Sequence, residues 1–357
     1  MAKIDYPAIL EEAWQQHLAP RQPDAPTVIS TFAGCGGSSL GYSMAGFREL
    51  LAVEWDNNAV ETFKLNFPDV PVYHGDICKL TVDECLRLAG LQPGELDLLD
   101  GSPPCQGFST AGKRDLNDDR NQLFREFVRL LRGLRPKVFV MENVSGLVKG
   151  KMKLVFAEIM RELKAAGYKV SCRLMNAMYF QVPQSRQRLI WVGVRDDLGI
   201  VSSHPGVKGR PVTVREAWSN LPSQNDAPSF SARYSQYWHA ALPGHTVGKL
   251  NSVKKLKMTG ISPTISKSEG YGGVYHPDEC RPINTCERRR LSSFPDAFAF
   301  LNWDSATECI GNSVPPLFMR AIALHIRKTI LSDLGLQPER VGLSQGVSTG
   351  STEAHQV

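Results

Sequence analysis

The sequence predicts an α/β fold: a doubly wound, mostly parallel sheet covered by helices on both faces, with a second, smaller domain that is mostly irregular or β. Three observations carry that expectation. Short apolar runs alternate with amphipathic helical stretches from Thr27 to about residue 195. Glycines and acids recur where those runs end, the edge at which open α/β sheets hold their ligands. Between 199 and 281 the periodicity lapses into a Ser-, Pro- and Gly-rich stretch with scattered aromatics, among them Trp218, Phe230, Tyr234, Tyr237, Trp238, Tyr271 and Tyr275. The expected organisation is an N-terminal extension over 1–26, a main domain from 27–198 and 282–335, the smaller domain over 199–281, and a disordered tail over 336–357.

Taken in order, Ile9, Leu10, Ala13, Trp14 and Leu18 give a short helical pattern ahead of the proline-rich run Ala19 to Pro26, an appendage able to pack on the body, with no visible chemistry. Strands are expected at Thr27 to Phe32, Leu50 to Glu54, near Val72, at Leu96 to Leu99 and at Val138 to Met141. Helices are expected between them, near Gly37 to Ala45, Asp56 to Phe67, Val82 to Leu88 and Gln122 to Leu134, the last with Leu123, Phe127, Leu130, Leu131 and Leu134 on one face. A helix over Leu154 to Ala166 leads to strand-like runs at Lys169 to Leu174 and Leu189 to Val194, an antiparallel addition at the sheet edge. Helical pattern returns at Val314 to Leu331.

Composition excludes several classes. The apolar and charged fractions, 42% and 22%, are those of a folded soluble protein. No apolar run approaches membrane-spanning length, and Met1 to Glu12 is unlike a secretory signal, so a cytoplasmic protein is expected. The eight cysteines form no Cys-x-x-Cys pair and have no histidine at ligand spacing, which leaves disulfide and metal readings unsupported. Between 199 and 281 there are ten Lys/Arg against five Asp/Glu, a surplus equal to the whole formal charge of +5. A solvated lysine face and an anionic partner both explain that surplus.

Phe32-Ala33-Gly34-Cys35-Gly36-Gly37 lies between the first strand and first helix, where glycines let backbone approach a nucleotide-like ligand. Several cofactor classes share such a turn. Glu54 ends the second strand and is placed to hold ribose hydroxyls, Trp55 offers a stacking face, and Asp76 follows the third strand in Gly75-Asp76-Ile77. Each acid alone is equally an exposed loop carboxylate. Together, ligand-type groups after three successive strands favour one adenosine site. Asp100 to Ser109 follows the fourth strand and contains Pro103-Pro104-Cys105; paired prolines stiffen the approach to the thiol, although a small structural cysteine is the alternative. Glu142 in Glu142-Asn143-Val144 ends the fifth strand, where it is either a proton-sharing acid or a cap. Arg186 and Arg188, two apart before a strand, would point to one face and grip a phosphate or carbonyl oxygen.

With Arg281-Pro282 to Phe294-Pro295-Asp296 and Gly311-Asn312-Ser313-Val314-Pro315-Pro316 added, these motifs in this order resemble the DNA (cytosine-5) methyltransferases of bacterial type, across roughly 27 to 332. The resemblance implies a Rossmann-like, S-adenosylmethionine-dependent domain interrupted by a target-recognition domain, which 199–281 would form. It implies that Cys105 adds to carbon 6 of a flipped cytosine, that Glu142 contacts ring nitrogen 3 and the exocyclic amine, and that Arg188 holds the base carbonyl with Arg186 in electrostatic support. Cofactor contacts would come from Phe32, Gly34, Gly36, Glu54, Trp55, Asp76, Ile77 and Pro103, closed by Asn312 and Ser313. The implied partner is double-stranded DNA, touched by Ser109 and Arg120 of the polar loop and by Lys249, Lys254, Lys255 and Lys257 on phosphates. A monomer without metal, in the cytoplasm with the nucleoid and with a cognate restriction endonuclease as possible companion, completes the expectation. The target sequence is not readable.

One departure is visible. The family commonly has Arg-Glu where this chain has Cys286-Glu287, and a threonine where it has Asn284, which puts in question how the recognition domain is held. Some relatives methylate tRNA, but their Cys-Phe-Thr signature does not occur in this sequence. A DNA-binding module without catalysis would be expected to have lost Cys105, Glu142 or the arginines. A nicotinamide-dependent dehydrogenase explains the glycine turn but gives no role to Pro103-Pro104-Cys105.

Overall fold

The computed structural model describes residues 4–104, 122–207, 209–248, 250–267 and 273–334. Cys105, Ser109, Arg120 and Lys249 lie outside the described residues. The strands are β1 (Thr27–Thr31), β2 (Arg48–Glu54), β3 (Val72–His74), β4 (Leu98–Gly101), β5 (Val138–Val144), β6 (Tyr168–Asn176), β7 (Gln184–Ser185), β8 (Gln187–Arg195), β9 (Thr246–Val247), β10 (Leu250–Lys255), β11 (Ser262–Pro263) and β12 (Val274–Tyr275). The helices are α1 (Tyr6–Leu18), α2 (Gly37–Met44), α3 (Asn57–Asn66), α4 (Val82–Ala89), α5 (Gln122–Leu134), α6 (Lys153–Ala165), α7 (Val214–Ala217), α8 (Ala232–Ala240), α9 (Thr285–Leu291), α10 (Trp303–Asn312) and α11 (Pro316–Ile326).

The main sheet runs β3-β2-β1-β4-β5-β8-β6. Its first five strands are parallel, and β8 and β6 add antiparallel at one side. The chain winds outward from β1 in one direction and restarts at β4 in the other, so the crevice between β1 and β4 is the switch point where this architecture binds ligands. Alternate residues feed two cores: Val28, Leu98, Val138, Val140 and Ile190 face one side, and Ile29, Leu99, Phe139, Met141 and Trp191 the other. The first side is covered by α1, α2, α3, α9, α10 and α11, the second by α4, α5 and α6. Near the opposite edge, Asp97 accepts from Thr27 N at 2.7 Å and pairs with Lys137 at 2.7 Å, fixing the starts of β1, β4 and β5 in register.

Local chemistry accounts for the element ends. Asp56 caps α3 through Ala59 N at 2.8 Å, and Thr81 caps α4, which stops at Gly90 in the left-handed conformation. Helices α9 and α10, absent from the sequence reading, are capped by Asn284 and Asn302. The first was concealed because Arg288 and Arg290 occupy buried positions that periodicity assigns to apolar residues. Strand β5 runs on past Met141 to Val144, so Glu142 lies within it.

Two expectations about organisation are refined. Tyr6, Leu10 and Ala13 of α1 are fully buried in the first core, so the N-terminal helix is part of the body. Within 199–281, Val212, Val214, Ala217, Leu256 and Ile265 also pack into that core, whereas a separate cluster gathers Trp238, Ala241, Val247, Val253 and Tyr275 with Phe230, Tyr234, Tyr237 and Cys280. This cluster surrounds the three-stranded sheet β12-β10-β9. The residues that depart from the usual motif participate in its attachment. Cys286 Sγ donates to Gln224 Oε1 at 2.7 Å, Asn284 Nδ2 donates to Gln224 O at 2.9 Å, and Glu287 takes both terminal nitrogens of Arg281 at 2.7 and 2.8 Å.

Candidate active site

The chain after β1 turns through three left-handed residues, Phe32 (φ 55°), Gly34 (φ 56°) and Gly36 (φ 96°), before α2 begins. Holding Phe32 there costs about 1–2 kcal/mol, a strain that clusters at ligand sites. The turn is fastened by Glu54 at the end of β2, whose Oε2 accepts from Gly34 N at 2.7 Å while Oε1 accepts from Trp55 N at 2.8 Å and Asp56 N at 3.0 Å. One carboxylate thus ties the β1–α2 loop to the β2–α3 loop. Its remaining lone pairs stay available for hydroxyl donors.

A cavity of about 320 Å³ opens beside this carboxylate. It is lined by Phe32, Val53, Glu54, Trp55, Gly75, Asp76, Ile77, Pro104 and Leu123. Trp55 is 75% exposed, a large indole held at the rim. Asp76 Oδ1 accepts from Cys78 N at 2.9 Å, and that bond lowers the carboxyl pKa below its ordinary value. Apolar walls, two acids and an exposed aromatic face suit a nucleoside with ribose hydroxyls and an amine.

The sequence-derived cofactor residues divide in two. Phe32, Glu54, Trp55, Asp76 and Ile77 share the cavity wall, with Gly34 bound to Glu54 behind it. Pro103 is replaced in the wall by Pro104, because the Pro103 carbonyl is taken by Asn143 Nδ2 at 2.9 Å. Ser313 sits behind the glycine turn, its Oγ 3.4 Å from Cys35 Sγ, and neither it nor the exposed Asn312 lines the cavity. Val53 and Leu123 were missed; being apolar, they carry no chemical signal in sequence.

Beyond Pro103 and Pro104 lies the second half of the site. Glu142 is 8% exposed on β5, and Arg188 reaches it from the antiparallel neighbour β8, with Nε 2.7 Å from Oε1. The register sets Arg188 opposite Val144 and Ile190 opposite Glu142, so the pair is diagonal across the two strands. Asn143, next to Glu142, is the residue that holds Pro103, so β5 both presents the acid and anchors the proline turn.

Two expectations are corrected. Arg186 does not share a face with Arg188: it occupies the break between β7 and β8, is 2% exposed, and donates to Ile265 O at 3.1 Å and Gly311 O at 2.9 Å. Strand alternation does not extend through that break, and Arg186 serves as a strut binding distant backbone, its pKa lowered mainly by burial. Lys255 does not offer its charge to a phosphate: it is 7% exposed, with Nζ 3.5 Å from the Trp238 ring centroid. Lys254 and Lys257 are exposed as expected. Among the described residues no three His, Cys, Asp or Glu side chains form a metal-binding group, and no helix is long and apolar enough to cross a membrane.

Comparison with known proteins agrees with this geometry. The profile of the C-5 cytosine-specific DNA methylase family matches residues 26–229 and 214–328. The chain is 35% identical over 328 residues to the Type II methyltransferase M1.HphI of Haemophilus parahaemolyticus, covering 85% of this chain and 87% of that protein. It is 34% identical to the Type II methyltransferase M.XorII of Xanthomonas oryzae pv. oryzae, with 85% of each chain covered. A solved structure described as a DNA modification methyltransferase encoded within an E. coli prophage superposes with a TM-score of 0.74 at 26% identity, covering 86% of this chain and all of that one. The S. pombe Dnmt2 methyltransferase shares the fold, with a TM-score of 0.63 at 18% identity over 85% of this chain and 98% of its own. The chain belongs to the C-5 cytosine-specific DNA methylase family.

Proposed function

We propose that the protein methylates carbon 5 of a cytosine flipped out of a specific double-stranded DNA sequence, with S-adenosylmethionine as donor and Cys105 as nucleophile. The observation that carries this reading is the proline turn between two half-sites. Pro104 lines the cavity beside Glu54 and Asp76, Pro103 is bonded to the residue next to Glu142, and Cys105 is the next residue in the chain. Glu54 and Asp76 would hold the ribose and adenine ends of the donor, and Trp55 would stack on its base. When bound, S-adenosylmethionine supplies an electrophilic methyl group.

The chain's own groups do the rest. Addition of the Cys105 thiolate forms an Sγ–C6 bond and makes carbon 5 nucleophilic; Glu142 offsets the charge that reaches the ring nitrogen 3 side. Arg188 holds Glu142 in place and offers its remaining donors to the base carbonyl. After carbon 5 gains its methyl group, its proton leaves to a base, the Sγ–C6 bond breaks and the thiolate is restored. Stacking shields carbon 6 in a duplex, which is why the base must be flipped. The proposal extends to a cytoplasmic, nucleoid-associated monomer that uses no metal. The Type II names of its relatives support a companion restriction endonuclease.

Cys105→Ala is expected to abolish methyl transfer to DNA while S-adenosylmethionine still binds in calorimetry; turnover retained in that variant overturns the mechanism. Glu142→Gln is expected to slow single-turnover methylation by about 10²- to 10³-fold with little change in DNA affinity. An unimpaired rate would return Glu142 to a structural role. Bisulfite sequencing of plasmid from expressing cells reads the activity and the target sequence together.

A further inference from the structure

Helix α1 precedes the family match, which begins at residue 26, yet one of its side chains packs against the two helices that follow the first two strands. His17, in its last turn, touches two helices at once. Its Nδ1 lies 2.7 Å from Ser43 Oγ near the end of α2, and its ring packs on Phe67, the residue that ends α3. Arg21 donates to the same Ser43 hydroxyl at 2.8 Å, to Ser43 O at 2.6 Å and to Phe47 O at 3.1 Å. Since the hydroxyl accepts from Arg21, its own proton goes to Nδ1, which leaves the ring proton on Nε2. Burial and the Arg21 cation push the imidazole pKa down to about 4, in keeping with this neutral tautomer.

The contact continues into the glycine turn. His17 packs edge-on against Phe67, with centroids 5.3 Å apart, and Phe67 stacks on Phe63 at 4.6 Å. Phe67 fills the space beside Gly36, where a Cβ would fall 2.4 Å from its Cε2. Only a glycine permits that approach. The other ends of the same two helices carry the donor-site groups: Gly34 and Gly36 precede α2, and Glu54 and Trp55 precede α3.

We propose that α1 and the turn after it form a positioning element for the methyl-donor site, in which His17 holds the ends of α2 and α3 and Arg21, beyond the helix, holds the end of α2, together setting the spacing of the Gly34 turn and Glu54. The proposal rests on reading the cavity as the S-adenosylmethionine site. The helices are short and rigid, so a shift at one end is transmitted to the other.

The test uses the full chain, with S-adenosylmethionine affinity from calorimetry and steady-state kinetics for both substrates. His17→Ala is expected to raise Kd and KM for S-adenosylmethionine by about 3- to 30-fold, with KM for DNA within about twofold. His17→Gln, whose amide oxygen can accept from Ser43 as Nδ1 does, should restore much of the affinity. Tyr168→Phe, which loses the 2.7 Å bond to Pro136 O at the opposite edge of the sheet, should lower Tm without changing that Kd. Arg21→Ala removes the other half of the clasp and is read by the same criterion if His17→Ala does not fold. Unchanged Kd in the clasp variants, a parallel rise in KM for DNA, or an equal rise in Tyr168→Phe overturns the proposal. If the wild-type chain does not bind S-adenosylmethionine, the cofactor reading itself falls; binding with indifferent clasp variants defeats the inference alone.

Discussion

Asp100 shows how a single residue can carry a pH dependence that its sequence position does not announce. It is 2% exposed on β4, accepts from Tyr42 Oη at 2.9 Å, and is pushed up to about 8 by burial, with the charges of Glu49 and Glu142 acting in the same direction. Glu49, bonded to Ser39 at 2.9 Å, is likewise pushed up by burial to about 7. For both acids the folded-state pKa lies above the unfolded one. Their contribution to stability is therefore fully present below about pH 4 and is lost as pH rises through about 7 to 8. Asp100→Asn keeps an acceptor for Tyr42 and removes one titration, so its Tm should fall less than that of the wild type between about pH 6 and pH 9. A thermal melt series across that range checks it, and parallel curves would contradict it. In sequence Asp100 opens the polar stretch after the fourth strand; only packing by α2 reveals that it is enclosed. By contrast Glu54 and Asp76 were legible, because position after a parallel strand restricts what such an acid can touch.

At the scale of elements, β10 separates lysines that composition groups together. Lys254 and Lys255 are neighbours, and strand alternation sends one outward while the other lies under Trp238. Lys255→Ala is expected to destabilise the small cluster by about 1–2 kcal/mol and leave the salt dependence of DNA binding unchanged. Lys254→Ala and Lys257→Ala should each weaken DNA binding for all sequences and reduce the salt slope by about one. Titration at several ionic strengths distinguishes these outcomes, and a reduced slope for Lys255→Ala would reverse the assignment. The same limit explains α9. Its buried arginines are stabilised by partners outside the helix, such as Asp296 just beyond its end and the remote carbonyls of Ser219 and Asn220 for Arg290, and no periodic pattern within the helix encodes that. Amphipathic α5 was legible end to end, since its apolar stripe meets one sheet face without charged intruders.

For the molecule as a whole, the order of alternating strands and helices was enough to foresee the sheet and the edge at which the cavity opens, because βαβ units leave few arrangements open. What could not be foreseen were the long-range ties: α1 against α2 and α3, Arg186 against Ile265 and Gly311, and Cys286 against Gln224. Each joins residues whose separation in the chain hides the partner. A tie of another kind, the last helix returning to the first of the sheet domain, is α11 against α2, where Gly41 has no Cβ because one would lie 2.6 Å from Met319 Cβ and 2.7 Å from Pro316 O. During synthesis the ribosome delivers α2 early and α11 near the end. At about 5–20 residues per second, the inner face of α2 waits on the order of tens of seconds for its cover. Over that interval the nascent chain holds an exposed apolar helix face that α11 later covers, so a message truncated before α11 would yield a sheet lacking part of one wall.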